Sequence, residues 1–220
     1  MIQSKAWNWK VANSNYWQEA APEVYPLIGR WKKLKLNKFL DLGCGVGRHT
    51  ILMAENGFEV FATDLSVDGL EKLNEIAQDQ NLKIKIEKAD MVSLPFVDNS
   101  FDCLVAYHAI YHTDEVGIKK VMSEIKRVLK TGGEALITFN SQKNTAFADP
   151  RNEHLSTNVV IKNIGHEAGI PHYYATKKDV EMLIDDFETI EFGYREEYWN
   201  SPELGPDYIS AHYCVLIKKK

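Results

Sequence analysis

A doubly wound, mostly parallel α/β sheet is predicted for this chain by three observations. Strand-like and helix-like stretches alternate from residue 38 to residue 139. The stretch at 101–107 is nearly all apolar, as a parallel strand covered on both faces should be. The first strand runs into the glycine turn Gly43-Cys44-Gly45-Val46-Gly47 and then into a helix. Such alternation leaves parallel neighbours as the simple solution, because each helix returns the chain to the same end of the sheet.

The elements follow in order. Residues 38–41 are strand one, and residues 48–56 are a short helix that Gly57 stops. Residues 59–64 are strand two, which ends on the carboxylate of Asp64. Leu70, Leu73, Ile76 and Ala77 give residues 67–81 helical spacing. Ile84 and Ile86 alternate with lysines, which fits a more exposed third strand. Residues 101–107 are strand four. A helix over 114–130 buries Val121, Ile125, Val128 and Leu129 ahead of Gly132 and Gly133, and 134–139 is strand five. Residues 177–187 are helical. Residues 189–198 and 212–218 are strands with no helix between them, so they pair as a hairpin around a loop at 199–210.

Two regions flank this core. Residues 1–35 carry Trp7, Trp9, Tyr16, Trp17, Tyr25 and Trp31, with helices expected at 15–21 and 23–33 and Pro22 near a helix start. These aromatics either pack on the main domain or form a lid that touches substrate. Residues 36–220 form a single domain. Within it, 140–175 lacks periodicity, and an irregular connection of that length is usually functional. It follows strand five, where such sheets bind ligands, so it is expected to cap a substrate.

Composition narrows the partners. The 220 residues carry a formal net charge of -5 and no clustered cationic stripe, which argues against nucleic acid. No apolar run approaches a membrane span, and no signal-peptide segment opens the chain, so membrane insertion is not expected and the cytoplasm is. Cys44, Cys103 and Cys214 are odd in number and widely spaced, against a disulfide scaffold or a zinc knuckle. Oligomeric state is not legible.

A glycine turn followed by an acidic strand end is compatible with a dinucleotide site. Asp41 sits awkwardly for that reading, because a carboxylate beside a diphosphate repels it. Asp41 suits a ligand with a charged amino group instead. Four stretches in order then carry a resemblance: Leu40 to Gly47, Ala62 to Ser66, Ala89 to Phe96 with Asp98 to Asp102, and Glu124 to Gly133. Over roughly residues 36–140 the chain resembles the class I S-adenosylmethionine-dependent methyltransferases, small-molecule type, related to the ubiquinone/menaquinone C-methyltransferases. The resemblance implies a Rossmann-like, seven-stranded sheet of order 3-2-1-4-5-7-6 with strand seven antiparallel. It also implies S-adenosyl-L-methionine as cofactor, with S-adenosyl-L-homocysteine as product.

The resemblance places the cofactor residue by residue. Asp41 accepts from the methionyl ammonium, directly or through water. Gly43, Cys44 and Gly45 run along the methionyl and ribose portion. Asp64 receives both ribose hydroxyls. Leu65 and Met91 sandwich the adenine, and Asp90 accepts its amino hydrogen. The Ala106 carbonyl holds the methionyl chain. Tyr107 and His108 border the transferable methyl group and are the catalytic candidates.

Other histidines crowd the same mouth. His108 and His112 share a face if that stretch is helical. His49, His112 and His172 are open between pocket and structural roles, and His154 and His166 lie in the long connection. A metal on His108 and His112 with Asp114, His49 or His172 is the minor reading, and no metal is expected. No Asn-Pro-Pro-Tyr or Asp-Pro-Pro-Tyr motif follows strand four, which weakens exocyclic base-amine methylation. The leading expectation is methyl transfer to a small-molecule acceptor by in-line displacement. The alternatives are a protein or RNA methyltransferase and a non-catalytic S-adenosylmethionine-binding protein.

Overall fold

The computed structural model describes residues 5–9, 18–164, 167–201 and 205–220. Tyr16, Trp17, His166 and the first three residues of the helix expected at 15–21 lie outside the described residues, and residues 18–21 are not helical. The chain order is α1 (Tyr25–Lys33), β1 (Lys38–Leu42), α2 (Arg48–Glu55), β2 (Glu59–Asp64), α3 (Val67–Asp79), β3 (Ile84–Lys88) and β4 (Phe101–Ala106). It continues with α4 (Glu115–Val128), β5 (Leu129–Ser141), α5 (Thr145–Ala148), β6 (Glu153–His154), β7 (Val159–Ile161), β8 (Pro171–Ala175), α6 (Lys177–Leu183), β9 (Phe187–Ser201) and β10 (Gly205–Lys219).

The main sheet runs β3-β2-β1-β4-β5 in parallel. β10 adds antiparallel to β5, and β9 adds antiparallel to β10. This is the expected order, with β9 and β10 as the sixth and seventh strands. The expected count of seven is corrected to ten among the described residues, because β6, β7 and β8 form within the connection that showed no periodicity. β4 makes its last pairing on β5 at Ala106↔Ile137. Beyond it, Asn140 pairs with His212 of β10 on one edge, which leaves the vacated β4 edge for Tyr174 of β8. β7 and then β6 add antiparallel to β8. These strands are too short to leave a period-2 signature, and they stand because β5 outruns β4.

Three boundaries also differ from expectation. The loop expected at 199–210 is mostly strand: Trp199 pairs with Tyr208 and Ser201 with Gly205, and residues 202–204 lie outside the described residues. A long two-stranded ladder supplies the backbone partners that these polar residues needed. α6 ends at Leu183, and Phe187 already pairs with Lys219. The proline in the first turn of α1 is Pro26, not Pro22.

The core lies on both faces of the sheet. Ile118, Val121, Ile125 and Val128 of α4 pack on one face with Leu104 and Ile137. Trp31 of α1 packs on the other with Phe39, Val60 and Val105. α1 is fixed there by one buried carboxylate. Glu134 accepts from Arg30 Nε and Nη2 at 2.8 and 2.7 Å and from Trp31 Nε1 at 2.9 Å. A fork-to-fork pair on a planar guanidinium gives that helix one orientation.

Candidate functional site

A cleft of about 880 Å³, its open mouth included, lies at the carboxyl ends of β1, β2 and β4. That edge is where the sheet order reverses between β1 and β4, the ligand position expected for an open parallel sheet. Gly43, Cys44, Asp64, Leu65, Asp90 and Met91 line it on one side, and Tyr107 and His108 on the other. The expected site residues therefore converge, apart from Asp41, Gly45 and Ala106, which do not line the cleft.

Each of those three has a structural reason. Asp41 is buried within β1 and accepts a 2.6 Å hydrogen bond from Thr50 Oγ1. Burial pushes its carboxyl up to about 6, against the pull of Thr50 and Arg48. Gly45, at φ 56, lies beneath the indole of Trp9, and a Cβ there would stand 2.1 Å from that ring. Ala106 is fully buried at the end of β4.

Asp64 ties the glycine turn to α3. Oδ2 accepts from Gly45 N at 2.8 Å and Oδ1 from Ser66 N at 2.7 Å. Burial raises its proton affinity, and the two backbone donors work against that. Asp90 Oδ1 accepts from Val92 N at 3.1 Å, so it caps its own turn while lining the cleft. The loop that carries Asp90 and Met91 is anchored by Arg127 of α4. Its guanidinium donates to the carbonyls of Leu94 and Phe96 and pairs with Glu124 and Asp98.

On the opposite wall, His108 takes a left-handed backbone, φ 54, right after β4. Its amide donates to Thr138 Oγ1 at 2.7 Å. The ring stacks between Tyr107, 4.4 Å away, and His212, 4.1 Å away. Burial, then the charges of His212 and Arg48, holds its proton affinity well below the ordinary histidine value. The neutral ring can accept a proton. Tyr107 is placed differently, because its hydroxyl donates to Glu23 at 3.1 Å and Glu23 pairs with Arg195. Residues 108–112 are turn rather than helix, so His108 and His112 do not share a helical face.

The N-terminal residues cross the cleft as a strap. Trp7 O accepts from Ser66 Oγ at 2.8 Å and Trp9 O from Lys72 Nζ at 2.9 Å, while Lys5 Nζ donates to Gly169 O at 2.7 Å. Trp7 and Trp9 pack edge to face and line the cleft. His49 is buried and accepts from Ala21 N at 3.2 Å; it does not face solvent.

Sequence reasoning missed Thr63, Ile170, Glu167, Lys162 and His212. Thr63 Oγ1 is buried in the cleft wall without a hydrogen-bond partner among the described residues. Glu167 lies 3.2 Å from His112 Nε2 and pairs with Lys162. No local pattern in the chain announces the His112–Glu167 contact, because it joins the cap to the turn after β4. Asp114, weighed as a metal ligand, instead caps α4 by accepting from Gly117 N at 2.7 Å.

Residues 39–133 match the model of a family described as a methyltransferase domain. Sterol 4-C-methyltransferase strm-1 of Caenorhabditis elegans is 31% identical over 191 residues, 83% of this chain and 53% of that protein. The chain spans about half the length, or less, of the curated relatives it matches. A S-adenosylmethionine-dependent methyltransferase from Methanosarcina mazei superposes with TM-score 0.73 at 20% identity, over 89% of this chain and 97% of that one. Burkholderia thailandensis 1,6-didemethyltoxoflavin-N1-methyltransferase, solved with 1,6-didemethyltoxoflavin and S-adenosylhomocysteine, superposes with TM-score 0.63 at 17% identity, over 94% of this chain and 81% of that one.

Proposed function

We propose that this chain, whose residues 39–133 match a methyltransferase domain, is a class I S-adenosylmethionine-dependent methyltransferase that methylates a small-molecule acceptor held in the cleft. One observation carries the proposal. A single cleft brings the glycine turn and Asp64 face to face with His108, whose burial disfavours the charged ring. The curated and solved relatives that act on sterols and on a toxoflavin precursor support a small acceptor.

The residues present fit the cofactor. A buried Asp41 with its proton affinity raised is a site that a nearby cation would relieve. The methionyl ammonium is such a cation, reached from Asp41 through the backbone layer of Gly43 and Cys44 or through water. Asp64 would take the ribose hydroxyls, Leu65 and Met91 the adenine faces, and Asp90 the adenine amino group. Bound S-adenosylmethionine supplies an electrophilic methyl group. The protein's own share is to orient the acceptor's nucleophilic atom in line with that group, to exclude water, and to accept a proton where the acceptor has one to lose. His108 is placed for the last task. Tyr107 shapes the wall, since its hydroxyl is committed to Glu23. The strap at residues 5–9 and the cap at 140–175 form the roof.

The test is methyl transfer from isotope-labelled S-adenosylmethionine into fractionated metabolites and macromolecules. Label in a small compound is the expected result. Label in protein or RNA overturns the small-acceptor reading. Tight S-adenosylhomocysteine binding with no label in any fraction points instead to a non-catalytic binding protein.

A further inference from the structure

We propose that His112, Glu167 and His172 form a binding site for one divalent transition-metal cation of the zinc class. This inference does not rest on the methyl-transfer reading. The three candidate ligand atoms, one from each residue, lie within 4.8 Å of one another. Glu167 Oε1 is 3.2 Å from His112 Nε2 and 3.3 Å from His172 Nε2. With bonds near 2.0 to 2.1 Å, tetrahedral ligands stand about 3.3 Å apart, so two edges of the site already have coordination spacing.

The second observation is the state of His172. Its side chain is fully buried, and Nδ1 lies 2.9 Å from the carbonyl of Ile170. A carbonyl can only accept, so Nδ1 carries a proton, and in the neutral ring Nε2 presents a lone pair. That Nε2 has no hydrogen-bond partner among the described residues, and it is aimed at Glu167. An imidazole whose far nitrogen donates to a backbone carbonyl is the usual outer arrangement of a metal-bound histidine. Glu167 has the matching outer partner, because Lys162 holds its other oxygen, Oε2. Oε1 is thereby left facing both imidazoles. The Lys162 charge is the feature that opposes a dication here, and direct metal titration decides between the two.

The ligand set selects the ion. Two imidazole nitrogens and one carboxylate suit zinc, cobalt or nickel and are poor for calcium or magnesium, which take oxygen. The site joins two parts of the molecule. His112 comes from the turn after β4, and Glu167 and His172 come from the cap, whose Tyr173 N donates to Tyr111 O at 2.7 Å. Three protein ligands leave one position of a tetrahedron open. His112 also lines the cleft, so a metal here stands beside the acceptor space.

The full-length chain, stripped of metal, is titrated with zinc chloride by calorimetry and with cobalt chloride by visible absorption and proton NMR. One saturable equivalent is expected, with cobalt bands of a four- or five-coordinate site and two paramagnetically shifted imidazoles. His112→Gln should weaken zinc binding by about 100-fold or more, at least the loss that follows removal of an outer partner. His154→Gln, at an exposed histidine outside the site, should bind as the parent does. A parent chain with no saturable heat, or with no shifted imidazoles under cobalt, overturns the proposal. So does a folded His112→Gln variant that binds zinc undiminished. The NMR reading needs no variant, so it holds even if His112→Gln fails to fold.

Discussion

On the β1–β2 wall of the cleft, the hydrogen-bonded partners are close in the chain: Thr50 and Asp41 are 9 residues apart, and Gly45 and Asp64 are 19 apart. On the opposite wall, Tyr111 meets His212 across 101 residues, and His112 meets Glu167 across 55. The near wall is one strand–turn–helix unit followed by the next strand, and its polar atoms are bound mostly by backbone. The far wall is the turn after β4, backed by side chains of the cap and of β10 that hold its polar atoms. A backbone-built wall tolerates side-chain change in the fold and registers it in ligand binding. A wall of paired buried charges registers the same kind of change in stability first.

The comparison can be broken by substitution, beginning with the largest effect. Glu167→Gln removes the counter-charge of the mostly buried Lys162, whose proton affinity Glu167 raises against the desolvation. Breaking such a pair should cost about 3–5 kcal/mol, read as a lower urea midpoint. A variant as stable as the parent would show that the far wall does not depend on its ion pair.

Asp41→Asn should act oppositely on stability. The folded carboxyl, at about 6 against an ordinary 3.8, binds its proton more tightly than the unfolded chain does. Its favourable contribution is therefore complete below about pH 4 and is lost as pH rises through about 6. Above that range the ionised group costs the ligand-free protein about 3 kcal/mol, which the amide avoids. The variant should match the parent near pH 4, be more stable at pH 8, and bind S-adenosylmethionine more weakly. Equal stability of the two proteins at both pH values would remove the buried charge from the account.

His108→Asn keeps a residue that tolerates a left-handed backbone and removes the proton acceptor. Turnover should fall by about 100-fold with S-adenosylhomocysteine affinity unchanged. The parent's turnover should hold down through pH 6.5, because burial keeps the ring neutral there. Parent-like turnover in the variant would leave His108 a structural residue. Asp64→Ala has the smallest expected effect, a loss of about 30-fold in cofactor affinity, or about 2 kcal/mol of charged hydrogen bonding. Calorimetry with S-adenosylhomocysteine reads it, and unchanged affinity would defeat the ribose assignment.

The near wall was legible because its signals are local. Glycines at positive φ, an acid at each strand end and apolar strands are all written within a few dozen residues. The convergence of Asp64, Leu65, Asp90 and Met91 on one cleft was what the family resemblance implied. Gly45 shows the limit of that reading. The turn was legible, but the indole that covers it comes from Trp9, and no pattern in the chain pairs the two. Tyr107 shows the same limit, because its position was legible and its hydroxyl's partner, Glu23, was not.

By itself, the sequence determined the alternating elements, the parallel core, the antiparallel end strand and the glycine turn beside Asp64, because periodicity and backbone sterics act over short spans. Only the tertiary structure decided that β8 extends β5 where β4 stops, that the N-terminal strap closes over the turn, and that Glu167 stands between His112 and His172. Those outcomes depend on which buried charges and strand edges find partners once the chain has closed on itself. That satisfaction of buried polar groups is a property of three-dimensional neighbours rather than of sequence spacing.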